Sequence, residues 1–172
     1  MTALDGLLFG TVMVCTLTDL FRRKIYNAVL LPVLLLALLL NYRAEGLAGL
    51  GHSAVGLMIG LAILFIPFVM GGMGAGDVKF LAVIGAVKGP YFVFLTALGM
   101  GLAGGVIGLV YLAAEKRLLA GISNLFRRVW MMALSRRLAE PPEDDGKQST
   151  VPYGVAIAAG AVAAYFWLRC LP

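Results

Sequence analysis

Two aspartates are the residues of this chain best suited to chemistry. Asp77 lies in the glycine-dense break Gly71-Gly72-Met73-Gly74-Ala75-Gly76-Asp77-Val78-Lys79, between two strongly apolar runs. Asp19 closes the first apolar run of the chain. An ionisable group within or beside a membrane-length apolar segment is costly, so its default reading is functional, with a partner to be found. Two carboxylates brought together cannot both ionise easily, and the pair titrates as a unit. Such a pair can hold a water, deprotonate it for attack on a peptide carbonyl, and protonate the leaving nitrogen. That is aspartic-protease chemistry, and it calls for no metal, cofactor or covalent intermediate. The same residues also admit a purely structural reading, with Asp19 paired to Arg22 or Arg23 and Asp77 capping the helix that follows it.

The elements that must position this pair are membrane helices. The 172 residues are 61% hydrophobic and only 13% charged, with a mean hydropathy of +0.94. A soluble domain carries about 25% charged residues, so this chain cannot cover a water-facing surface. It has room for about six spans of roughly 20 residues and none for a separate soluble domain. Its 22 glycines are about twice the usual share of roughly 7%, which suits close helix packing. Cys15 and Cys170 both fall in apolar runs and read as packing residues. No cysteine spacing suits zinc, and nothing points to nucleic acid. The N-terminus lacks a basic n-region and carries Asp5, so the first run reads as a retained span rather than a cleaved signal.

The fold expected is all-α, a polytopic membrane helix bundle of about six transmembrane helices plus a cytoplasmic amphipathic helix, forming a single membrane-embedded domain over 1–172. The first span covers about 3–20 and is followed by the basic turn Arg22-Arg23-Lys24. The second covers about 25–42, where Pro32 can kink it, and a short polar loop over 41–52 leads to the third, about 53–70. The fourth apolar run, 78–87, is short. Ten helical residues reach about 15 Å, roughly half the hydrocarbon core, which places Asp77 near or below the interface. A fifth span covers about 91–114. Within 115–150, Leu118, Ile122, Leu125, Val129 and Met132 recur at helical spacing, with Arg127 and Arg128 off that stripe. This is the pattern of an amphipathic helix on an anionic membrane surface or of a helix packed on a partner. A flexible linker over 140–149 precedes the last span, about 151–171.

Positive charge sets the orientation. With the turn after the first span in the cytoplasm, eleven lysines and arginines are cytoplasmic and only Arg43, Lys88 and Arg169 are not. Both termini then lie outside. Asp19 and Asp77 are separated by two crossings, so they share one face whichever way the protein is inserted.

Three stretches resemble a known family. Asp19-Leu20-Phe21-Arg22-Arg23-Lys24-Ile25-Tyr26-Asn27 is similar to the first catalytic motif of the type IV prepilin peptidases, membrane aspartic proteases, with Tyr26 where proline is common. Gly74-Ala75-Gly76-Asp77 matches their Gly-x-Gly-Asp motif, and Val151-Pro152-Tyr153-Gly154-Val155-Ala156-Ile157 resembles the segment that opens the last span in one subgroup. The chain looks closest to the small, peptidase-only members that accompany tight-adherence (Flp-type) pilus systems. The resemblance implies that Asp19 and Asp77 are the catalytic pair. It implies an enzyme of the bacterial inner membrane that removes the basic leader from prepilins and pseudopilins on the cytoplasmic side, after a glycine preceding the pilin's hydrophobic helix. Membrane lipids and pilus-assembly proteins are the further partners. Larger members carry a cytoplasmic insert with paired cysteines and also N-methylate the product. That insert is missing, so neither methyltransferase activity nor zinc is expected.

The remaining candidates shape the site. Gly74 and Gly76 allow the backbone near Asp77 conformations closed to other residues, and Tyr153 and Gly154 close the site from the last span. Lys79 can bias Asp77, meet a lipid phosphate, or simply anchor the helix at the interface. Asn27 can orient the first motif or cap the second span. His52 lies on the outer side and reads as non-catalytic, and Glu143, Asp144 and Asp145 are the acids available to a basic leader. The competing reading is a non-enzymatic transporter or assembly scaffold that uses the aspartates for proton or cation coupling. The absence of a second glycine break in the other half argues against a repeat-built transporter.

Overall fold

The computed structural model describes residues 2–114 and 153–170. These residues are helical almost throughout: α1 (Ala3–Arg22), α2 (Asn27–Val69), α3 (Ala75–Lys88), α4 (Pro90–Ala114) and α5 (Tyr153–Cys170). Contacts divide the chain into two units, Met1–Ala103 with Thr150–Pro172, and Gly104–Ser149. Of the second unit only the end of α4 is described, and it is helical. The amphipathic helix and linker anticipated over 115–150 lie outside the described residues, as do Glu143, Asp144 and Asp145.

Helix α1 starts at a capping box in which Thr2 Oγ1 accepts the Asp5 N–H and the Asp5 carboxylate accepts the Thr2 N–H, so two donors without intrahelical partners are satisfied. Leu8, Val12, Cys15 and Asp19 are its buried residues at three- and four-residue steps, one stripe of a helix. It stops where Arg23 turns left-handed (φ 49°) and donates its N–H to the Asp19 carbonyl at 2.7 Å.

The expected second and third spans form the single element α2, broken at Gly46 (φ 63°, ψ −139°). The polar loop anticipated over 41–52 is therefore helix on either side of one glycine, and Pro32 does not break the helix. The two arms fold back along α3. Lys79 meets Asn27 and Ala86 meets Asn41 on the first arm, while Ala86 meets Ser53 and Gly85 meets Gly56 on the second. Asn41, which suggested a loop, has work inside the bundle, as has Ser53 at the start of the expected third span. Ser53 Oγ and Asn41 Nδ2 both donate to the Ala86 carbonyl, at 2.5 and 3.2 Å, near the C-terminal end of α3, where carbonyls lack helical partners and water is scarce.

Helix α3 is the central rod. It is longer than the apolar run alone suggested, because Ala75 and Gly76 are already helical and Gly74 is the N-cap. Val78 and every residue from 80 to 87 are buried, with Phe80, Leu81 and Ile84 almost fully enclosed. Its neighbours are both arms of α2, then α1 and α5. The outer surface carries Phe21, Leu47, Ile66 and Leu102 largely exposed. On a water-soluble protein so much exposed apolar surface would be an aggregation hazard; against lipid it is the ordinary exterior. This is a helical membrane-type protein. By length and composition, three described helices can cross a membrane, namely α1, α2 and α5. That is fewer than the six anticipated, because the α2 hairpin counts once, α3 has only 14 residues, and of α4 the stretch Pro90–Val106 counts as a shorter apolar helix.

Candidate active site

Asp19 occupies the last turn of α1 and is buried, only 8% exposed. Its Oδ2 accepts the backbone N–H of Gly154, in the first turn of α5, at 2.9 Å. Neither Arg22 nor Arg23 forms an ion pair with it, since the ion pair among the described residues is Lys88 with Asp5. Arg23 reaches Asp19 only through its backbone N–H. The electrostatic pairing offered as the structural reading of Asp19 is therefore not formed.

Asp77 is the third residue of α3 and half-buried. Its N–H donates to the carbonyl of Gly74, the N-cap, at 3.1 Å. Asp77 thus sits inside the first turn rather than at the cap. Its carboxylate folds back on Gly74, where an added Cβ would lie 3.2 Å from Oδ2. A negative group is well placed there, because the first-turn N–H groups carry partial positive charge. The two carboxylates share one end of the bundle, Asp19 in the last turn of α1 and Asp77 in the first turn of α3. The connector after α1 seals this end, with Ile25 Cβ 3.1 Å from a Cβ built on Gly76.

The other sequence candidates fall into two groups. Gly74, Gly76, Tyr153 and Gly154 surround the aspartates, and Tyr153 packs against the hydrophobic core. Lys79 and Asn27 meet each other instead, Lys79 Nζ donating to Asn27 Oδ1 at 3.2 Å on the exposed surface. Asn27 does not cap α2, whose N-cap is Tyr26. His52 lies against Gly89 at the far end of α3. Sequence reasoning did not single out Asn41 and Ser53, although lone polar residues between apolar helical runs were the available signal. A cavity of about 360 Å³ lies at the far end, lined by Asp5, Lys88, Tyr91, Tyr165 and Arg169 among others. Its single carboxylate is held by Lys88, so it offers no second acid for paired chemistry. Among the described residues no cluster of metal-ligating side chains occurs.

A model of the type IV leader peptidase family matches residues 6–109, a stretch that contains both Asp19 and Asp77. The chain belongs to the type IV leader peptidase family. Membership makes it a peptidase, aspartic in type, and implies prepilin substrates. It also weighs against the transporter and scaffold readings. No curated protein and no solved structure gives a significant match. The matched stretch of this leader peptidase ends well before Tyr153 and Gly154, which reach the aspartates through the fold.

Proposed function

We propose that this leader peptidase is a membrane aspartic endopeptidase that uses Asp19 and Asp77 as its catalytic pair. The observation that carries the reading is a buried Asp19 that is held by a backbone amide, has no cationic partner among the described residues, and lies at the same end of the bundle as Asp77. A carboxylate kept for stability alone would be expected to have a compensating charge. In the reaction, one carboxylate takes a proton from water as its oxygen attacks the scissile carbonyl. The other, protonated, gives its proton to the departing nitrogen, and the pair returns to its starting state with one proton shared. Gly74 and Gly76 let the Asp77 carboxylate and Ile25 approach the backbone closely at the start of α3. Tyr153 and Gly154 bound the site from α5, and the Lys79–Asn27 contact ties α3 to the start of α2 at its rim.

The substrates are prepilins and pseudopilins of Flp-type systems, cut after the glycine that precedes their hydrophobic helix. Each arm of α2 crosses the bilayer, giving about six spans in a single domain over 1–172, set in the bacterial inner membrane with both termini outside and the aspartates facing the cytoplasm. With no cysteine-bearing insert, the enzyme cleaves without methylating. The test is co-expression with a prepilin and separation of precursor from mature pilin. Asp19→Asn and Asp77→Asn should each slow maturation on the order of 10²–10⁴-fold, the usual contribution of a general acid or base. Maturation at the wild-type rate in either variant sinks the proposal.

A further inference from the structure

We propose that the backbone N–H of Gly154 is a positioning element of the catalytic site, one that fixes the Asp19 carboxylate from the other end of the chain. The inference rests on the reading of Asp19 as catalytic. Three observations carry it. The N–H···Oδ2 contact of 2.9 Å joins residues 135 apart in sequence and is buried. The approach needs a residue without a side chain, since a Cβ at position 154 would lie 2.5 Å from Asp19 Oδ2 and 2.9 Å from its Cβ and Cγ. The start of α5 is also firmly seated, with Tyr153 packed on the core and Gly160 in backbone contact with Thr96 and Gly99 of α4.

Gly154 is the second residue of α5, so its N–H has no carbonyl to bond within the helix. Donation to Asp19 satisfies that orphan donor and brings the positive end of the helix to the carboxylate. The contact holds Oδ2 in place and so sets the direction in which Oδ1 faces. The site is then assembled from α1, α3 and α5, and the chain between α4 and α5 must return Gly154 to one place for the enzyme to work.

Gly154→Ala in the full-length protein is the first test, read as kcat and KM for prepilin cleavage. The added methyl drives the carboxylate off its amide, and displacement of a reacting group by about 1 Å can cost 10²-fold. We expect kcat to fall at least about tenfold, KM to stay within about twofold, and the acid limb of the kcat–pH profile to shift. A glycine kept only for close packing predicts a loss of stability without the split or the pH change, because overpacking lowers the folded fraction alone. A second variant guards against misfolding: glycolate in place of Gly154 turns the amide into an ester, removing the N–H and adding no bulk, and should also lower kcat. In an Asp19→Asn background neither change should cost more, since both act through the same carboxylate. Wild-type kcat in the ester variant, with Asp19→Asn inactive, overturns the role of Gly154 and leaves the catalytic pair standing. An active Asp19→Asn enzyme removes the pair itself.

Discussion

A methyl group at position 85 has nowhere to go, and Gly85→Ala therefore tests how α3 is seated. A Cβ built on Gly85 lies 2.1 Å from the carbonyl oxygen and 2.6 Å from the carbonyl carbon of Gly56. Both are backbone atoms, so no rotamer change relieves the clash. Real Cβ contacts are essentially never under 3.0 Å, so α3 and the second arm of α2 must separate by at least 3.0 − 2.1 = 0.9 Å. A radial gap of roughly 0.5–1 Å forfeits a quarter to a half of each dispersion contact it opens. Overpacking of this kind costs about 1–3 kcal/mol, and a drop in unfolding temperature of roughly 2–10 °C follows for a chain of this size. The shift also reaches the site. Asp77 lies two helical turns, about 12 Å, along the same rod, and in the proposed catalytic role its misplacement by about 1 Å can cost 10²-fold in rate. Gly56→Ala meets the mirror-image clash, 2.1 Å from the Gly85 oxygen, and should behave alike. Gly51→Ala, where an added Cβ has nothing within 4 Å, is the control and should gain up to about 1 kcal/mol from helix propensity. The assay is initial cleavage of a prepilin in proteoliposomes, with thermal unfolding in detergent. If Gly85→Ala melts and cleaves like the wild type, the close α2–α3 crossing and its coupling to Asp77 are wrong.

Two further outcomes are expected. Lys88→Met strips the partner from Asp5, whose side chain is only 10% exposed, and should destabilise the fold by about 1–3 kcal/mol, the cost of an unsatisfied buried group. Cleavage per folded molecule should be unchanged, because the pair lies at the end of the bundle remote from Asp19, and titration of the active fraction checks it. Lys79→Gln breaks only an exposed contact to Asn27, worth about 0–1 kcal/mol. It should lower the rate less than about fivefold, and a loss beyond tenfold would place the Lys79 charge in the chemistry.

Much of the site was legible in the chain. A carboxylate at the end of one apolar run and another in a glycine break, two crossings apart, had to share a face. The family match over 6–109 covers both. The partner of each aspartate was less legible. Arg22 and Arg23 follow Asp19 closely in sequence, yet the group that holds its side chain is the amide of Gly154. A backbone donor leaves no mark in composition or charge, and only the missing side chain at Gly154 hints at it. Polarity over 41–52 reads as exposure to water, yet the segment is helical apart from Gly46, and Asn41 donates to the Ala86 carbonyl inside the bundle. The glycine break reads as ending at Asp77, yet α3 already begins at Ala75, with Gly74 as its N-cap.

The sequence by itself determined the helical, membrane-type class and the approximate positions of most helices. Both follow from hydropathy and residue order, which are properties of short stretches of chain. The tertiary structure decided which helices touch, that α3 is the rod enclosed by both arms of α2, and that α5 returns to lay an amide on Asp19. Those outcomes depend on how closely two backbones can approach, and at Gly56–Gly85 and at Gly154 that distance is set by the absence of a single methyl group.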